Sequence, residues 1–443
     1  MGLVKPVNTN DSDLFLYNFE TKEMTKINEN LGAYFIQDFS PDSKKLIYGT
    51  DDGSEFSYLV EYDLASGERN KLLEKDWSIS YAYFSHNGKY QVIGTNADAK
   101  TEVEITNLES GDLVDFPKFE NGDINGVNIS MNENWMIFNV GSSDSPTNLY
   151  VYNFETEEVK QLTNTLNEEI NGDDLVSAEV VRYKSFDGLE IPAIFYKPHQ
   201  ASETNKVPAL VYVHGGPGGQ TRQSYRAQIQ YLVNHGYAVL GVNNRGSSGY
   251  GKTFYKMDDQ NHGDKDLKDC VWGKNWLKEQ PYIDSTKIGI MGGSYGGYMV
   301  MAALTFQPEE FDVGVNVFGV TNWLRTLKSI PPWWESFKDA LYTEMGDPNT
   351  QDSIRLYNIS PLFHADRVTK PLIVLQGSQD PRVLQVESDE IVAAVKANGV
   401  PVEYVLFEDE GHGFRKKENQ IESNKKILAF LDKYLKKKEN IKG

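Results

Sequence analysis

This sequence has a single cysteine, no excess of basic charge and no long apolar run. Cys270 is the only cysteine among 443 residues, so no intrachain disulfide can form. Acidic residues outnumber basic ones by 64 to 44, which gives a net charge of −20. Nucleic acids and anionic membranes attract basic faces, so neither is expected as a partner. Residues 1–10 lack a signal-peptide core and no run could span a bilayer, so we expect a cytoplasmic protein.

What the chain does contain, over residues 1–165, is a repeat. The segment FSPDSKKLIY at 39–48 aligns with FSHNGKYQVI at 84–93 and ISMNENWMIF at 129–138, so the pattern recurs every 45 residues. Each unit offers about four short strands separated by Asp, Asn, Ser or Gly turns. This period and strand count are typical of a β-propeller blade. Three whole units follow half a unit at 14–27, which predicts a short, partial propeller of about three and a half blades.

Such a propeller is short, because closed ones normally have about four to eight blades. An open propeller leaves unpaired edge strands, and these invite pairing with another chain. We therefore expect this domain to be a truncated remnant or to close through a second subunit, which would make a homo-oligomer.

The pattern changes after a polar, acidic segment at 166–178, which we interpret as a linker. Segments 180–185 and 190–196 alternate around Asp187 and Gly188, which indicates a hairpin. Apolar strands then alternate with helical segments, and this predicts a mainly parallel, doubly wound sheet of α/β-hydrolase type over 179–443. The predicted strands are 209–213, 238–242, 287–291, 313–318, 372–376 and 402–407. The predicted helices include 264–279, 297–306, 386–398 and 419–435.

The segment GGSYGG at 292–297 lies between a predicted strand and a predicted helix. This is the context of a G-x-S-x-G nucleophile elbow, in which a tight turn exposes the serine hydroxyl. Such a turn needs neighbours without a Cβ, which the glycines supply. The pattern predicts Ser294 as a nucleophile. Chance is the alternative, since the chain has 37 glycines.

A serine nucleophile needs a histidine base and a carboxylate that orients it. In an α/β-hydrolase the chain order is Ser, Asp or Glu, then His, and the last two follow later strands. Asp380 follows the predicted strand 372–376, and His412 follows 402–407. These two complete the candidate triad, the alternative being that they are ordinary turn and loop residues.

The tetrahedral intermediate needs backbone amides for its oxyanion. One is expected from Tyr295, directly after the nucleophile, and the other from the glycine-rich turn HGGPGG at 214–219. In that turn we choose the amide of Gly216, with Gly215 as the second choice. His214 is expected to brace the loop.

A propeller followed by these motifs resembles the prolyl oligopeptidase family of serine peptidases, and within it the acylaminoacyl-peptidase branch. The resemblance covers nearly all of residues 178–437, whereas in the N-terminal part it extends only to the repeat. It is carried by HGGP at 214–217, NRGSSGYG at 244–251, GGSYGGY at 292–298, SP at 360–361, QGSQDPRV at 376–383 and GHGF at 411–414.

The resemblance implies the same triad and oxyanion amides. It also implies that Arg382 holds a substrate backbone carbonyl, for which a guanidinium fork is suited, although a surface salt bridge is the alternative. Four aromatic residues are candidates for an apolar specificity pocket or for ordinary packing: Tyr298, Trp323, Trp333 and Trp334. The family's larger propeller restricts access to small peptides, so the short one here predicts a more open cleft and looser substrate choice.

The sequence thus predicts a serine peptidase that hydrolyses short peptides through an acyl-enzyme, without cofactor or metal. Removal of N-acylated residues and internal cleavage both remain open. A carboxylesterase with the same triad is one alternative, and a catalytically inert propeller interaction protein is another.

Overall fold

A computed structural model describes residues 1–115, 117–119 and 121–436, apart from the side chain of Ser336. The chain forms two compact units. The first contains residues 1–177 together with 222–226 and 248–256, and the second contains 178–221, 227–247 and 257–443. The expected boundaries at 165 and 178 stay a prediction.

Four antiparallel sheets make up the first unit. The first sheet has β1 (Gly2–Pro6), β2 (Ser12–Tyr17) and β3 (Met24–Lys26), and the second has β4 (Tyr34–Phe39), β5 (Lys45–Thr50), β6 (Tyr58–Asp63) and β7 (Arg69–Leu73). The third has β8 (Ile79–Phe84), β9 (Tyr90–Ala97) and β10 (Lys100–Asn107), and the fourth has β11 (Asp123–Ile129), β12 (Trp135–Gly141), β13 (Asn148–Asn153) and β14 (Val159–Gln161). The first sheet exceeds the predicted half unit because β1 pairs with β2.

The 45-residue repeat corresponds to one hairpin turn used three times. It joins β4 to β5, β8 to β9 and β11 to β12. In each turn a serine hydroxyl accepts a hydrogen bond from the first residue of the following strand, at 2.8–3.1 Å; the serines are Ser40, Ser85 and Ser130. Three residues after the serine, the backbone of each turn has a positive φ, at Ser43 (59°), Gly88 (80°) and Glu133 (57°). The repeat therefore encodes a turn geometry as well as an apolar pattern.

One eight-stranded sheet forms the centre of the second unit. Its strands are β15 (Glu179–Lys184), β16 (Glu190–Tyr196), β17 (Val207–Val213), β18 (Ala238–Val242), β19 (Ile283–Gly293), β20 (Gly314–Val317), β21 (Leu372–Gly377) and β22 (Val402–Phe407). Their order is β15-β16-β18-β17-β19-β20-β21-β22. The β15–β16 hairpin is antiparallel and β16 pairs antiparallel with β18, whereas all later pairs are parallel. The central strands are buried, as their continuous apolar sequences require.

Helices lie between the parallel strands and after the last of them. They are α1 (Ala227–Asn234), α2 (Lys252–Tyr255), α3 (Lys265–Glu279), α4 (Tyr295–Phe306), α5 (Trp323–Lys328), α6 (Lys338–Met345), α7 (Asp352–Asn358), α8 (Gln385–Ala397) and α9 (Lys417–Leu431). Short 3-10 segments lie at Gly172–Asp174, Lys256–Asp258, Pro332–Phe337 and Pro361–Arg367, and a π turn at Asp432–Lys436 follows α9. The predicted fold, a partial propeller followed by an α/β-hydrolase sheet, is confirmed. Among the described residues, no helix combines the length and apolar character needed to cross a membrane.

Candidate active site

Ser294 lies at the turn between β19 and α4, in a conformation that side chains rarely adopt. Its backbone φ is 58° and its ψ is −119°, a combination that residues other than glycine rarely adopt. The two flanking glycines make this turn possible through close packing. A Cβ on Gly296 would lie 2.1 Å from the carbonyl oxygen of Val213, and one on Gly292 would lie 2.5 Å from the backbone of Gly296. The strained serine is thus held by backbone contacts that only glycine permits.

Three side chains predicted from the sequence meet at this turn. Nε2 of His412 lies 3.0 Å from Oγ of Ser294, and Nδ1 lies 2.7 Å from Oδ2 of Asp380. Asp380 follows β21 and His412 follows β22, so the parallel sheet brings their loops to one edge. The arrangement gives the serine a hydrogen-bonded base and gives that base an orienting carboxylate.

The Asp380 carboxylate is fully buried and is held by the backbone of its own loop. Its second oxygen, Oδ1, accepts hydrogen bonds from the amides of Arg382 (2.8 Å) and Val383 (3.0 Å). These amides fix the carboxylate so that Oδ2 faces the imidazole.

Aromatic packing fixes the other side of the imidazole. The ring of Phe318 lies 4.7 Å from that of His412, and Phe414 packs on Phe318 at 5.4 Å. Phe318 has a φ of 40°. Sequence reasoning missed this positioning residue because Phe318 resembled the last residue of a strand.

Two amides beside Ser294 offer hydrogen-bond donors. Gly216 and Tyr295 both line the cavity next to the serine. Within the residues that the structure describes, neither amide donates a hydrogen bond. Gly216 has a φ of 143°, and a Cβ there would lie 2.6 Å from the amide nitrogens of Gly218 and Gly219. This turn therefore needs glycine in order to present its amide.

His214 supports the same turn. It is buried, and its Nε2 lies 2.8 Å from Oγ of Ser247, whose hydroxyl donates to the carbonyl of Asn244. Nδ1 of the same ring donates to the carbonyl of Gly215 at 2.8 Å, so the contact between Nε2 and Ser247 is the one that reaches beyond the loop. This contact ties the loop after β17 to the loop after β18, as expected for a bracing residue.

The side chain of Tyr295 is tied to α3. Its hydroxyl donates a hydrogen bond to Asp266 on α3, and both side chains are buried. Burial raises the pKa of Asp266 to about 6, because a charged carboxylate is poorly solvated there. Tyr295, which directly follows Ser294, is thus anchored through its side chain.

A cavity of about 300 Å³ adjoins Ser294. Its wall is mainly apolar, and Arg382 is the one residue with a charged side chain among the described lining residues. The Arg382 guanidinium lies 4.7 Å from the ring centre of Trp334. Further residues of this wall are Val320, Trp323, Thr326, Leu327, Ile330, Pro331, Leu341, Met345 and Val383.

The structure brings only some of the expected pocket residues to this wall. Trp323, Trp334 and Arg382 line the cavity. Trp333 does not, and the residue is 59% exposed. Tyr298 is also absent from the wall. It lies one helical turn after Ser294, fully buried, and packs against Trp323 at 5.0 Å.

Sequence reasoning missed the largest part of the wall, which comes from residues 320–345. That stretch contains the short helices α5 and α6 and has no motif. Its only signal was the group of tryptophans at 323, 333 and 334.

Comparisons with known proteins follow the same two-part division. The sequence profile of the prolyl oligopeptidase family matches residues 223–438, and the profile of that family's N-terminal β-propeller domain matches residues 5–165. The chain belongs to the prolyl oligopeptidase family. The predicted resemblance is confirmed.

One family relative is dipeptidyl aminopeptidase BIII of Pseudoxanthomonas mexicana. It is 33% identical over 411 residues, which cover 88% of this chain and 58% of the relative. The chain spans about half the length of the first curated relatives it matches.

Two solved structures share the fold. A puromycin-hydrolyzing peptidase of Mycobacterium tuberculosis has a TM-score of 0.86 at 22% identity, covering 98% of this chain and 69% of that one. Acylaminoacyl peptidase of Pyrococcus horikoshii has a TM-score of 0.76 at 24% identity, covering 99% and 70%.

Proposed function

We propose that this protein is a serine peptidase that cleaves short peptides through an acyl-enzyme. The observation that carries the proposal is the hydrogen-bonded series Ser294–His412–Asp380 beside an apolar cavity. Membership of the prolyl oligopeptidase family supports it.

In the proposed mechanism, Oγ of Ser294 attacks the scissile carbonyl while Nε2 of His412 takes its proton. Asp380 holds the imidazole and stabilises its charged form. The amides of Gly216 and Tyr295 receive the oxyanion. His412 then donates the proton to the leaving amine. Water then attacks the acyl-enzyme while His412 takes its proton. His412 returns the proton to Oγ of Ser294 as the acid is released, which restores the serine.

The cavity suggests which residue precedes the cleaved bond. Its volume and its wall of Trp323, Leu327, Ile330 and Met345 fit a large apolar side chain. We propose that the residue whose carbonyl is attacked is apolar or aromatic. Arg382, on the same wall, is placed to donate hydrogen bonds to a peptide carbonyl.

The cavity also bears on the amino terminus of the substrate. Among its described lining residues there is no carboxylate that could pair with a free ammonium group. We therefore propose that peptides with an acylated amino terminus are cleaved at least as well as free ones. One relative is named a dipeptidyl aminopeptidase and one solved structure an acylaminoacyl peptidase, so names alone leave this choice open.

Mass-spectrometric mapping of products from a peptide library tests the proposal. The library contains N-acetylated, free and doubly blocked peptides that vary in the apolar residue, and Ser294→Ala is the control. Release of single acetylated residues, or internal cuts in blocked peptides, supports a peptidase and distinguishes its two modes. Cleavage of matched esters without any peptide cleavage would overturn it in favour of a carboxylesterase. No turnover of either class would favour an inert interaction protein.

The first unit supports a second proposal, on assembly. Successive sheets pack through β4 against β8 and β10 against β11, whereas the described strands of the first and last sheets share no extensive contact. We propose that a second copy of the chain covers these edges. A dimer mass in size-exclusion chromatography with light scattering is expected, and a strict monomer would contradict it.

The cytoplasmic location and the looser substrate choice stay predictions.

A further inference from the structure

A second buried polar cluster lies in the catalytic unit, and the proposed peptidase mechanism does not use it. We call it the Asp258 cluster; it consists of Asp258, His262 and Glu344. Their side chains are almost fully buried, with residue exposures of 3%, 1% and 7%. One ligand-type atom from each lies within 4.8 Å of the others. Asp258 and His262 flank a short loop before α3, and Glu344 lies on α6.

The imidazole of His262 is the unusual member of this cluster. Neither of its ring nitrogens makes a hydrogen bond within the described part of the chain. Nε2 lies 3.4 Å from Oδ2 of Asp258 and 3.5 Å from Oε1 of Glu344. Both contacts are ion pairs if the imidazole is protonated, but they are longer than direct charge-assisted hydrogen bonds, which are about 2.7–2.9 Å. Buried polar groups normally have partners, and this one faces two carboxylates across a gap.

The width of that gap fits a metal ion. Zinc bonds to imidazole nitrogen and carboxylate oxygen are about 2.0–2.2 Å long, so tetrahedral ligand atoms lie about 3.3–3.5 Å from each other. The two observed separations, 3.4 and 3.5 Å, have this size. A modest movement of the carboxylates would place all three ligands around one ion and leave a fourth position for water.

Charge favours a cation at the same place. Asp266 acts electrostatically on His262 together with Asp258 and Glu344. Two carboxylates contact the imidazole and a third, Asp266, acts on it from farther away, so a single proton on the imidazole does not balance their combined negative charge. Buried carboxylates are costly unless they are paired, protonated or bound to metal. A divalent ion would balance this group.

The backbone already holds the ligands together. The amide of Gln260, in the loop between Asp258 and His262, donates to the carbonyl of Glu344 at 2.9 Å. Its side-chain amide donates to the carbonyl of Thr343 at 3.2 Å. The loop and α6 are therefore joined independently of any ion, as a preformed site requires.

We propose that the Asp258 cluster binds one divalent transition-metal ion, for which one imidazole and two carboxylates are suitable ligands. This differs from the expectation of no metal. Ligands at 258, 262 and 344 form no local motif, so the sequence could not indicate the site. The ion would act structurally, by fixing α6, whose Leu341 and Met345 line the cavity beside Ser294. This second consequence depends on the proposed peptidase function.

Zinc titration of chelator-treated full-length protein tests the binding. We expect one equivalent by calorimetry and elemental analysis, together with a raised melting temperature. Glu344→Gln and His262→Gln should each weaken the affinity at least roughly tenfold. Asp339→Asn is the matched control, because it removes an exposed carboxylate from the same helix. Far-UV circular dichroism of the zinc-free variants checks that they fold.

Absence of saturable zinc binding would overturn the inference. A proton on His262, rather than a metal ion, would then neutralise part of the charge of the Asp258 cluster. Equal binding by Glu344→Gln, His262→Gln and the control would also overturn it, since the ion would then lie on surface carboxylates. On peptides, zinc removal should raise KM more than it lowers kcat. If a fluorophosphonate still labels Ser294 while zinc fails to bind, only the metal inference fails.

Discussion

The backbone amide of Arg382 donates a hydrogen bond of 2.8 Å to Oδ1 of Asp380. One short loop therefore carries both the carboxylate that orients His412 and the guanidinium on the cavity wall. The link joins the backbone of Arg382 to a side-chain oxygen of Asp380, so the loop can keep its turn when Arg382 is substituted or when Asp380 becomes asparagine. This separation allows the two proposed roles to be tested independently.

Asp380→Asn should lower kcat by roughly 10⁴-fold with little change in KM. The amide oxygen of asparagine can still accept from the backbone at Arg382 and Val383. Its NH₂ group would then face Nδ1 of His412 and stabilise the tautomer that carries its proton on Nε2. That tautomer cannot accept a proton from Ser294. Steady-state kinetics on a good peptide substrate measures the effect, and a loss below tenfold would contradict the assigned role.

Arg382→Met should change mainly KM and leave kcat nearly unaltered, which is the opposite of the effect expected for Asp380→Asn. Since the backbone amide remains, the triad geometry is kept, whereas the donor to the substrate carbonyl is lost. Hydrogen bonds to charged groups contribute about 1.5–3 kcal/mol, so kcat/KM should fall roughly 10- to 100-fold, mostly through KM. An unchanged KM with a greatly reduced kcat would show that Arg382 acts on the triad.

Ile330→Trp should narrow the apolar cavity beside Ser294 and change substrate choice. Ile330 lines the wall and is only partly buried, so the larger ring can enter without overpacking the core. Cleavage after Phe should fall at least roughly tenfold in kcat/KM, whereas cleavage after Ala should change much less. Matched peptides that differ only at this residue give the ratio. An equal loss on both peptides would contradict the assignment of this cavity.

Ser85→Ala should destabilise the first unit more than Ser40→Ala, although both serines occupy the same turn position. The Ser85 hydroxyl donates to the buried carboxylate of Glu133, whereas that of Ser40 donates to the exposed Asp42. We expect a loss of about 1–3 kcal/mol in the free energy of unfolding for Ser85→Ala and less than about 1 kcal/mol for Ser40→Ala. Urea denaturation followed by circular dichroism measures both.

The loss of unfolding free energy caused by Ser85→Ala should also depend on pH. Burial of Glu133 raises its pKa, but hydrogen bonds from Ser85 and from the amides of Asn87 and Lys89 outweigh this and hold the pKa below its usual value. A lowered carboxyl pKa stabilises the fold above the unfolded pKa of about 4.3, and the contribution is lost as pH falls through the folded value. The difference between wild type and Ser85→Ala should therefore shrink below about pH 4. A constant difference would contradict this account.

The sequence was most informative where function and backbone geometry require the same residues. Ser294 could be located because its turn needs glycines, and Asp380 and His412 because they follow apolar strands. The pocket was harder to predict, since the direction of a side chain depends on packing. Tyr298 is buried against Trp323, and of the neighbouring Trp333 and Trp334 only Trp334 lines the cavity.

Residues distant in sequence were beyond prediction for a different reason. The cavity wall at 320–345 and the Asp258 cluster form only when separate helices and loops pack together. Their members carry no periodicity and no motif. By contrast, the repeat in the first unit was visible because each copy encodes the same serine turn, at Ser40, Ser85 and Ser130.

The central claim is that Ser294 is a nucleophile activated by His412. Labelling with a fluorophosphonate, followed by intact-mass measurement and peptide mapping, tests it most directly. The account predicts one adduct per chain on Ser294, none in Ser294→Ala, and greatly slowed labelling in His412→Ala. No adduct on the folded protein, or an adduct on another residue with full peptidase activity retained in Ser294→Ala, would contradict it.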